Sequence, residues 1–423
     1  MKFDKISVIG LGYIGLPTAA MFANSGKIVL GVDLNKTIVK SINDGLTHIL
    51  EPGLEKLVLD AIKDKKLSAK TNPESADAFL IAVPTPFKET KSLNPEPDLA
   101  YIKLAVQSIS KVLEKGNLVI LESTSPVGTT EKISNWLSEL RPDLKFPKKN
   151  TDSCDVNIAY CPERVLPGNI IKELVDNDRI IGGITEDCSQ NASDLYKTFV
   201  NGKCFKTNSR TAEMAKLTEN SSRDVQIAFA NELSIICEKL DIDVWELIEL
   251  TNRHPRVNIL QPGPGVGGHC IAVDPWFIVS DNPKESKIIK TARLVNDEKP
   301  KWVINKVKEY VSLFRELNKD AKLDTISIAC YGLTFKPDVD DLRESPALEI
   351  TKEIQELKHV KVYAVEPNIK KLNEKNIELV TFEFAQKNAN IHLLLVDHQQ
   401  FKKNIEIDNN FIIDTKGIWK TKI

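Results

Sequence analysis

Residues 6–15 read ISVIGLGYIG, an apolar run that breaks into Gly10, Gly12 and Gly15. Next comes LPTAAMFANSG, which predicts a helix ending at Gly26. The run after that, KIVLGVD, predicts a second strand closed by Asp33. Strand, glycine turn, helix, strand and an acidic residue about 20 positions on are the parts of a dinucleotide-binding βαβ unit. The glycines let backbone amides approach a pyrophosphate at the helix N-terminus, where unpaired N–H groups and the dipole favour anions. Asp33 would accept hydrogen bonds from ribose hydroxyls and repel a 2′-phosphate, which favours NAD over NADP. The competing reading is a glycine-rich turn with no ligand. The flanking strands and Asp33 weigh against it.

The βα alternation continues. ADAFLIAVPTP is a buried strand that breaks at Pro84-Thr85-Pro86, and GNLVILESTSPVGTTEKI is another that ends in hydroxyls before a helix. Ligands of such sheets bind at the carboxyl ends of the strands, so Thr85, Thr124 and Thr130 are candidates for the nicotinamide side. Ordinary N-cap or turn chemistry is the competing account of each. VNIAYCPERVLPG is a further strand running into Glu163 and Arg164, and RIIGG a short closing strand. KETKSLNPEPD is a polar, proline-bearing surface loop.

From about Thr211 the pattern changes to long helices. TAEMAKLTENSSRDVQIAFANELSIICEKL has no internal glycine or proline. Lys216, Asn220 and Arg223 fall at i, i+4 and i+7 and share one face, although a solvated polar stripe gives the same spacing. DVWELIELTN is a second helix, after which His254 and Arg256 flank a proline. Residues 261–275, QPGPGVGGHCIAVDP, then place one thiol, Cys270, in a glycine loop with Asp274 four residues on. A cysteine in such a loop is a nucleophile if its thiolate is stabilised nearby. The alternative is a buried structural cysteine. KWVINKVKEYVSLFREL predicts a connecting helix.

The last segment repeats the βαβ alternation in TISIACYGLTFKP, HVKVYAVEP, NIHLLLVDH and NFIIDTKG, with a helix after Ser345-Pro346. Its first turn, YGLTFKPDVDDLRES, lacks GxGxxG, which predicts a mononucleotide carrier rather than a second dinucleotide site. Lys336, Arg343 and Lys416 lie at strand or loop ends where a phosphate would be met, or else simply face water. The predicted class is α/β: two Rossmann-like doubly wound domains joined by a central helical region, at 1–200, 201–315 and 316–423.

A chain of 423 residues exceeds a single core. A net charge of −2 gives no bulk attraction to nucleic acid or anionic membrane. Seven cysteines, an odd and scattered set without CxxC, exclude a disulfide framework and a zinc ribbon, and no metal is expected. The first strand leaves no room for a signal peptide, and no apolar run has membrane-spanning length, so the cytoplasm is the expected compartment.

These blocks, together with AVPTPF, ESTSPVGTTE, AYCPERVLPG, NSRTAEMAKLTEN, GLTFKPDVDDLRESPA and DTKGIW, give a chain that resembles the UDP-glucose/GDP-mannose dehydrogenase family over nearly its whole length. The resemblance implies an N-terminal NAD-binding domain, a central helical dimerisation region and a C-terminal domain holding UDP. It implies oxidation of a sugar C6 alcohol to a carboxylate with two NAD⁺, supplying a precursor for surface polysaccharide. By resemblance Cys270 is the nucleophile, Lys216 transfers protons and stabilises oxyanions, and Asn220 donates an amide hydrogen bond. Asp274 assists the first oxidation through water, Glu163 serves thioester hydrolysis, and Thr124 positions water. Arg164, Val165, Lys216, Asn220, Arg223, His254, Arg256, Gly267, Phe335, Lys336 and Lys416 fall at UDP-sugar positions. Gly10, Gly12, Tyr13, Ile14, Gly15, Asp33, Thr85, Thr130 and Arg343 fall at NAD positions. Arg256 matches an arginine that reaches the substrate of the partner subunit in a homodimer. The ESTSPVGTTE and CPERVLPG blocks favour an N-acetylmannosamine sugar by resemblance. Three alternatives stand beside this reading: the same chemistry on UDP-N-acetylglucosamine or UDP-glucose, a one-step hydroxyacid dehydrogenase, and a non-enzymatic NAD-responsive binding protein.

Overall fold

The first apolar run forms β1 (Lys5–Ile9), buried after its first residue, as a strand covered on both faces must be. The computed structural model describes residues 3–88, 94–149, 153–268, 270–318, 325–402 and 411–419. Residues 89–93 of the predicted surface loop lie outside the described residues. The ends of that loop pair through Lys88 N to Glu96 O and Asp98 N to Pro86 O. Two units are distinguished: Met1–Glu219 with Trp276–Asp281, and Asn220–Pro275 with Asn282–Ile423.

In the first unit the chain continues through α1 (Gly15–Asn24), β2 (Ile28–Val32), α2 (Lys36–Asn43), α3 (Leu54–Lys63), β3 (Leu67–Lys70) and β4 (Ala78–Ile81). Next come α4 (Ala100–Ser110), β5 (Leu118–Leu121), α5 (Thr129–Leu140), β6 (Asn157–Tyr160), α6 (Ile170–Asp176), β7 (Arg179–Gly183), α7 (Glu186–Tyr196) and β8 (Cys204–Asn208). The eight strands form one sheet in the order β3-β2-β1-β4-β5-β6-β7-β8. The order reverses between β1 and β4, which opens a crevice at their carboxyl ends. Every neighbouring pair is parallel except β6 and β7. RIIGG forms β7 but does not close the sheet, contrary to the expectation. The half-exposed CFKTN adds β8 outside it, and an edge strand that carries lysine and threonine leaves little apolar periodicity to read.

Helix α8 (Ser209–Lys239) starts in the first unit and runs into the second, and is 31 residues long. It is followed by α9 (Val244–Thr251), α10 (Asp274–Asp281) and α11 (Lys287–Leu317). The connecting helix predicted from Lys301 in fact begins at Lys287 and passes through Pro300. Proline removes one helical hydrogen bond, but its ring here fills space beside the glycine loop, where a Cβ on Gly265 would stand 3.0 Å from Pro300 Cγ.

The rest of the second unit comprises β9 (Ile326–Tyr331), α12 (Pro346–Gln355), β10 (Val360–Val365), β11 (Glu378–Leu379), α13 (Phe382–Asn388), β12 (Ile391–Leu394) and β13 (Ile412–Asp414). The sheet is parallel, in the order β11-β10-β9-β12-β13, and again reverses beside its first strand. Ser345 caps α12, its hydroxyl accepting from Leu348 N, and Pro346 occupies the first helical position. The two doubly wound sheets and the helices between them are the predicted α/β class.

Candidate active site

In the first unit the glycine turn has the shape an anion needs. Gly10 has φ +92, and a Cβ there would meet Ala82 O at 2.6 Å. A Cβ on Gly15 would fall 1.8 Å from Gly10 O, so the helix can follow the turn this tightly only at glycine. Gly12 instead faces open space, with nothing within 4 Å of where a Cβ would stand. Helix α1 has no side-chain cap and no acidic residue in its first turn. Leu16 N and Thr18 N donate back to Gly12 O and Ile14 O at 3.1 Å each and Pro17 has no N–H, so what the helix offers a pyrophosphate is chiefly its positive dipole end. Asp33 is held at the end of β2, its Oδ2 accepting from Leu11 N at 3.1 Å and its Oδ1 from Asn35 N at 2.8 Å. Tyr13 is exposed and Ile14 half-buried at the same turn. These residues fit a bound dinucleotide.

The threonines divide. Thr85 Oγ1 donates to Thr124 O at 2.5 Å, joining the loops after β4 and β5. Both residues are half-buried. Thr130 is buried, and its N and Oγ1 both donate to Glu213 Oε1, at 2.7 and 2.6 Å. Gly128 N donates to the other Glu213 oxygen, so a carboxylate from α8 caps α5.

Glu163 lies beyond β6, 7% exposed. Its Oε1 accepts from Arg164 N at 2.6 Å and its Oε2 from Arg179 Nη1 at 2.9 Å. Lys216, half-buried on α8, donates to the Glu163 carbonyl at 2.8 Å. Arg164 is clamped by Glu219 at 2.6 Å and donates to Asp178 O, while Val165 is half-buried beside it. Sequence reasoning does not single out Arg179, whose only signal there is a charge opening an apolar strand. It lies over the Tyr196 ring at 4.8 Å, and Tyr196 donates its hydroxyl to Glu122 Oε1 at 2.6 Å.

Glu122 is buried, and its Oε2 has no hydrogen-bond partner. Burial pushes its carboxyl up from an ordinary 4.5 to about 7, against the Tyr196 hydrogen bond and the Arg179 charge and with the Glu163 charge. A carboxyl raised on folding contributes stability that is fully present below 4.5 and lost as pH rises through about 7. Glu122→Gln should abolish that decline and leave the protein up to about 3 kcal/mol more stable at pH 8. Urea unfolding of both proteins at pH 5 and pH 8 checks this, and parallel pH profiles would refute it.

In the second unit Cys270 is exposed, not a buried structural thiol. Its carbonyl accepts from Val273 N and Asp274 N at 3.1 and 2.9 Å, a turn that leads into α10. Asp274, 2% exposed, accepts from Asn220 Nδ2 at 2.5 Å. Asn220 is therefore engaged rather than part of a solvated stripe, while Arg223 is exposed. The glycine loop lies against the turn after β9. A Cβ on Gly267 would meet Glu344 O at 2.4 Å and Pro346 Cδ at 2.5 Å, and Phe335 stands 3.3 Å away. Asn231 of α8 pins the loop by accepting from Gly263 N at 2.9 Å. Lys336 is half-buried with its ammonium over the Phe335 ring. Arg343 is exposed and paired to Asp341 at 2.7 Å.

A cavity of about 670 Å³ in this unit is lined by Trp245, Asn252, Gln261, Asp397, Lys416 and Gly417. Lys416 Nζ stands 3.4 Å from Asp397 Oδ1. Its backbone is set by Asp414, which accepts from Lys416 N and Gly417 N at 2.7 Å each. A side chain on Gly417 would overlap Trp245. Sequence reasoning misses Trp245 and Asp397 because they come from segments that only folding brings together. His254 and Arg256 are exposed, and Arg256 N donates to His254 Nδ1 at 3.3 Å.

The first turn of the second sheet can be set beside that of the first. Gly332 N donates to Val365 O as Gly10 N does to Val32 O, both at 2.8 Å. Glu366 then follows β10 as Asp33 follows β2. Its oxygens are taken by Leu333 N, Thr334 N, Asn368 N and the buried His398. A carboxylate so occupied has little left for a ribose diol.

The family description UDP-glucose/GDP-mannose dehydrogenase, NAD binding domain, matches residues 4–200. The family's central domain matches 210–298 and its UDP binding domain 329–421. The UDP-N-acetyl-D-mannosamine dehydrogenase of Yersinia pestis is 57% identical over 99% of this chain and 100% of its own. The NDP-N-acetyl-D-galactosaminuronic acid dehydrogenase of Ralstonia nicotianae is 54% identical over 100% of this chain and 98% of its own. The solved structure of the UDP-N-acetyl-mannosamine dehydrogenase of Staphylococcus aureus is similar with a TM-score of 0.84 at 41% identity, covering 99% of this chain and 96% of that one. The chain belongs to the UDP-glucose/GDP-mannose dehydrogenase family and is an NAD-dependent oxidoreductase.

Proposed function

We propose that this enzyme oxidises UDP-N-acetyl-D-mannosamine at C6 to the uronate, with two NAD⁺ consumed per sugar. The exposed Cys270, set in a glycine loop that rests on the turn carrying Phe335 and Lys336, is the observation that carries the reading. Bound NAD⁺ supplies the hydride acceptor for both oxidations. The first converts the primary alcohol to an aldehyde. An aldehyde has no useful hydride to give until a nucleophile makes it tetrahedral, and the Cys270 sulfur adds to form a thiohemiacetal. Loss of the second hydride leaves a thioester, which water cleaves to carboxylate and thiol. In this reading Lys216 and Asn220 stabilise the oxyanions, Asp274 assists through water, Thr124 positions water and Glu163 serves the hydrolysis. Arg164, Val165, Arg223, His254, Gly267, Phe335, Lys336 and Lys416 hold the UDP-sugar, and Tyr13, Ile14, Thr85, Thr130 and Arg343 the NAD.

The 57% identical relative supports the mannosamine configuration. Epimer discrimination rests on few contacts, about 1–3 kcal/mol each. Turnover of UDP-N-acetylmannosamine, UDP-N-acetylglucosamine and UDP-glucose should therefore be compared, with product mass and NADH counted. The expected result is a uronate and about two NADH per UDP-N-acetylmannosamine, from the two oxidations the thiol permits. Faster turnover of either glucose-configured sugar overturns the substrate assignment, and one NADH per sugar overturns the four-electron reaction.

A homodimer in which the exposed Arg256 reaches the partner's sugar belongs to the same reading. Light scattering at the mass of a single chain would remove it. Among the described residues no helix is long and apolar enough to cross a membrane. The cytoplasm, where NAD and nucleotide sugars are both at hand, remains the compartment we assign.

A further inference from the structure

The antiparallel pairing of β6 and β7 brings an unassigned charge to the proposed hydrolytic carboxylate. Ala159 faces Gly183 and Tyr160 faces Gly182 across this pair. The two numbers sum to 342 each time, so continuing the register past the strand ends sets Glu163 opposite Arg179. A parallel β7 would have carried its first residue to the far end of the sheet. The contact is made: Arg179 Nη1 reaches Glu163 Oε2 at 2.9 Å, with side chains 4% and 6% exposed.

Arg179 is itself tightly determined. Its guanidinium lies on the Tyr196 ring at 4.8 Å and near that of Phe199 at 5.8 Å, and Nη2 donates to Leu174 O at 3.2 Å. Tyr196 is fixed in turn by its hydrogen bond to Glu122. A flat, rigid donor held on two rings has one direction in which to point its remaining N–H groups. Glu163 is thereby gripped from both sides, Oε2 by Arg179 and Oε1 by its neighbour's amide. Burying such a pair removes both charges from water, and well-packed apolar residues of similar volume are often as stable or more so. Stability alone gives no reason to keep the pair. A carboxylate that must meet a water and an acyl carbon in one geometry does, since misplacement by about 1 Å costs on the order of 100-fold in rate.

We propose that Arg179 is a positioning residue for the hydrolytic step, aiming the Glu163 carboxylate at the water that cleaves the Cys270 thioester. The assignment rests on the thioester reading above. Arg179 touches neither sugar nor cofactor in this role, so its loss should spare both hydride transfers and slow only release of the acyl group.

The test compares Arg179→Met, Arg179→Lys and Glu163→Gln with the wild type, using UDP-N-acetylmannosamine and NAD⁺. Rapid-mixing NADH traces, steady-state rates and the mass of the acid-quenched protein are recorded. Arg179→Met should release about two NADH per subunit in a burst, then turn over on the order of 100-fold more slowly. kcat/KM for the sugar should be unchanged, with KM falling alongside kcat because only a step after acylation is slowed, and the mass should show the uronyl group retained on the protein. Arg179→Lys, which keeps the charge but not the fork, should fall between. If Glu163→Gln retains the adduct and folded Arg179→Met or Arg179→Lys does not, the assignment of Arg179 is overturned while that of Glu163 stands. If none of the three retains it, the hydrolytic role of Glu163 falls and the inference with it. Should Arg179→Met fail to fold, the same readings on Arg179→Lys decide.

Discussion

Replacing Cys270 by serine should end carboxylate formation, lowering turnover by on the order of 1,000-fold or more. The NADH yield should fall from about two to about one per sugar oxidised. The alcohol-to-aldehyde step needs no covalent bond, so it survives in principle. The second does not, because a serine hydroxyl is a far weaker nucleophile than a thiolate and its ester resists water more than a thioester does. The exposed position of Cys270 means the substitution leaves no cavity in a core. Thermal melting should therefore be unaltered, which separates lost chemistry from lost fold. Uronate production by Cys270→Ser at the wild-type rate would reject the covalent route. A protein whose role was only to bind NAD would lose nothing in Cys270→Ala.

Lys216→Met should lower kcat by about 100- to 10,000-fold, the range for a positioned proton-transfer group. The KM for NAD⁺ should stay near that of the wild type. Lys216 stands in the first unit with its ammonium 2.8 Å from the Glu163 carbonyl, half-buried, so the methionine stem can occupy the same groove. What disappears is the charge that stabilises an oxyanion and the proton it exchanges. Because this loss acts at the oxidations, quenched Lys216→Met should carry no acyl group, unlike Arg179→Met. An adduct on Lys216→Met, or kcat within about threefold of wild type, too small for a lost proton-transfer group, would place Lys216 outside the chemistry.

Much of this was legible in the linear chain because the relevant spacing is local. Gly10, Gly12, Gly15 and Asp33 lie within one βαβ unit, and the turn they make follows from sterics that each glycine relieves on its own. The long helix was equally readable, since an uninterrupted run of helix formers needs no distant partner. Strand β8 was not, because an edge strand has one covered side and weak alternation. The early start of α11 was hidden by Pro300, whose ring contacts the glycine loop from inside the helix.

By itself the sequence determined the two βαβ rhythms, the dinucleotide turn, the helical span between and the one thiol in a glycine loop. Each depends on residues near one another along the chain. Tertiary structure decided that Cys270 is exposed, that Asn220 meets Asp274, and that the oxygens of Glu366 are consumed by backbone amides and His398. It also decided that Arg179 faces Glu163, through the direction of a single strand. Strand direction and burial are properties of the packed sheet, set by free-energy terms shared among many distant residues, so no local pattern of side chains encodes them.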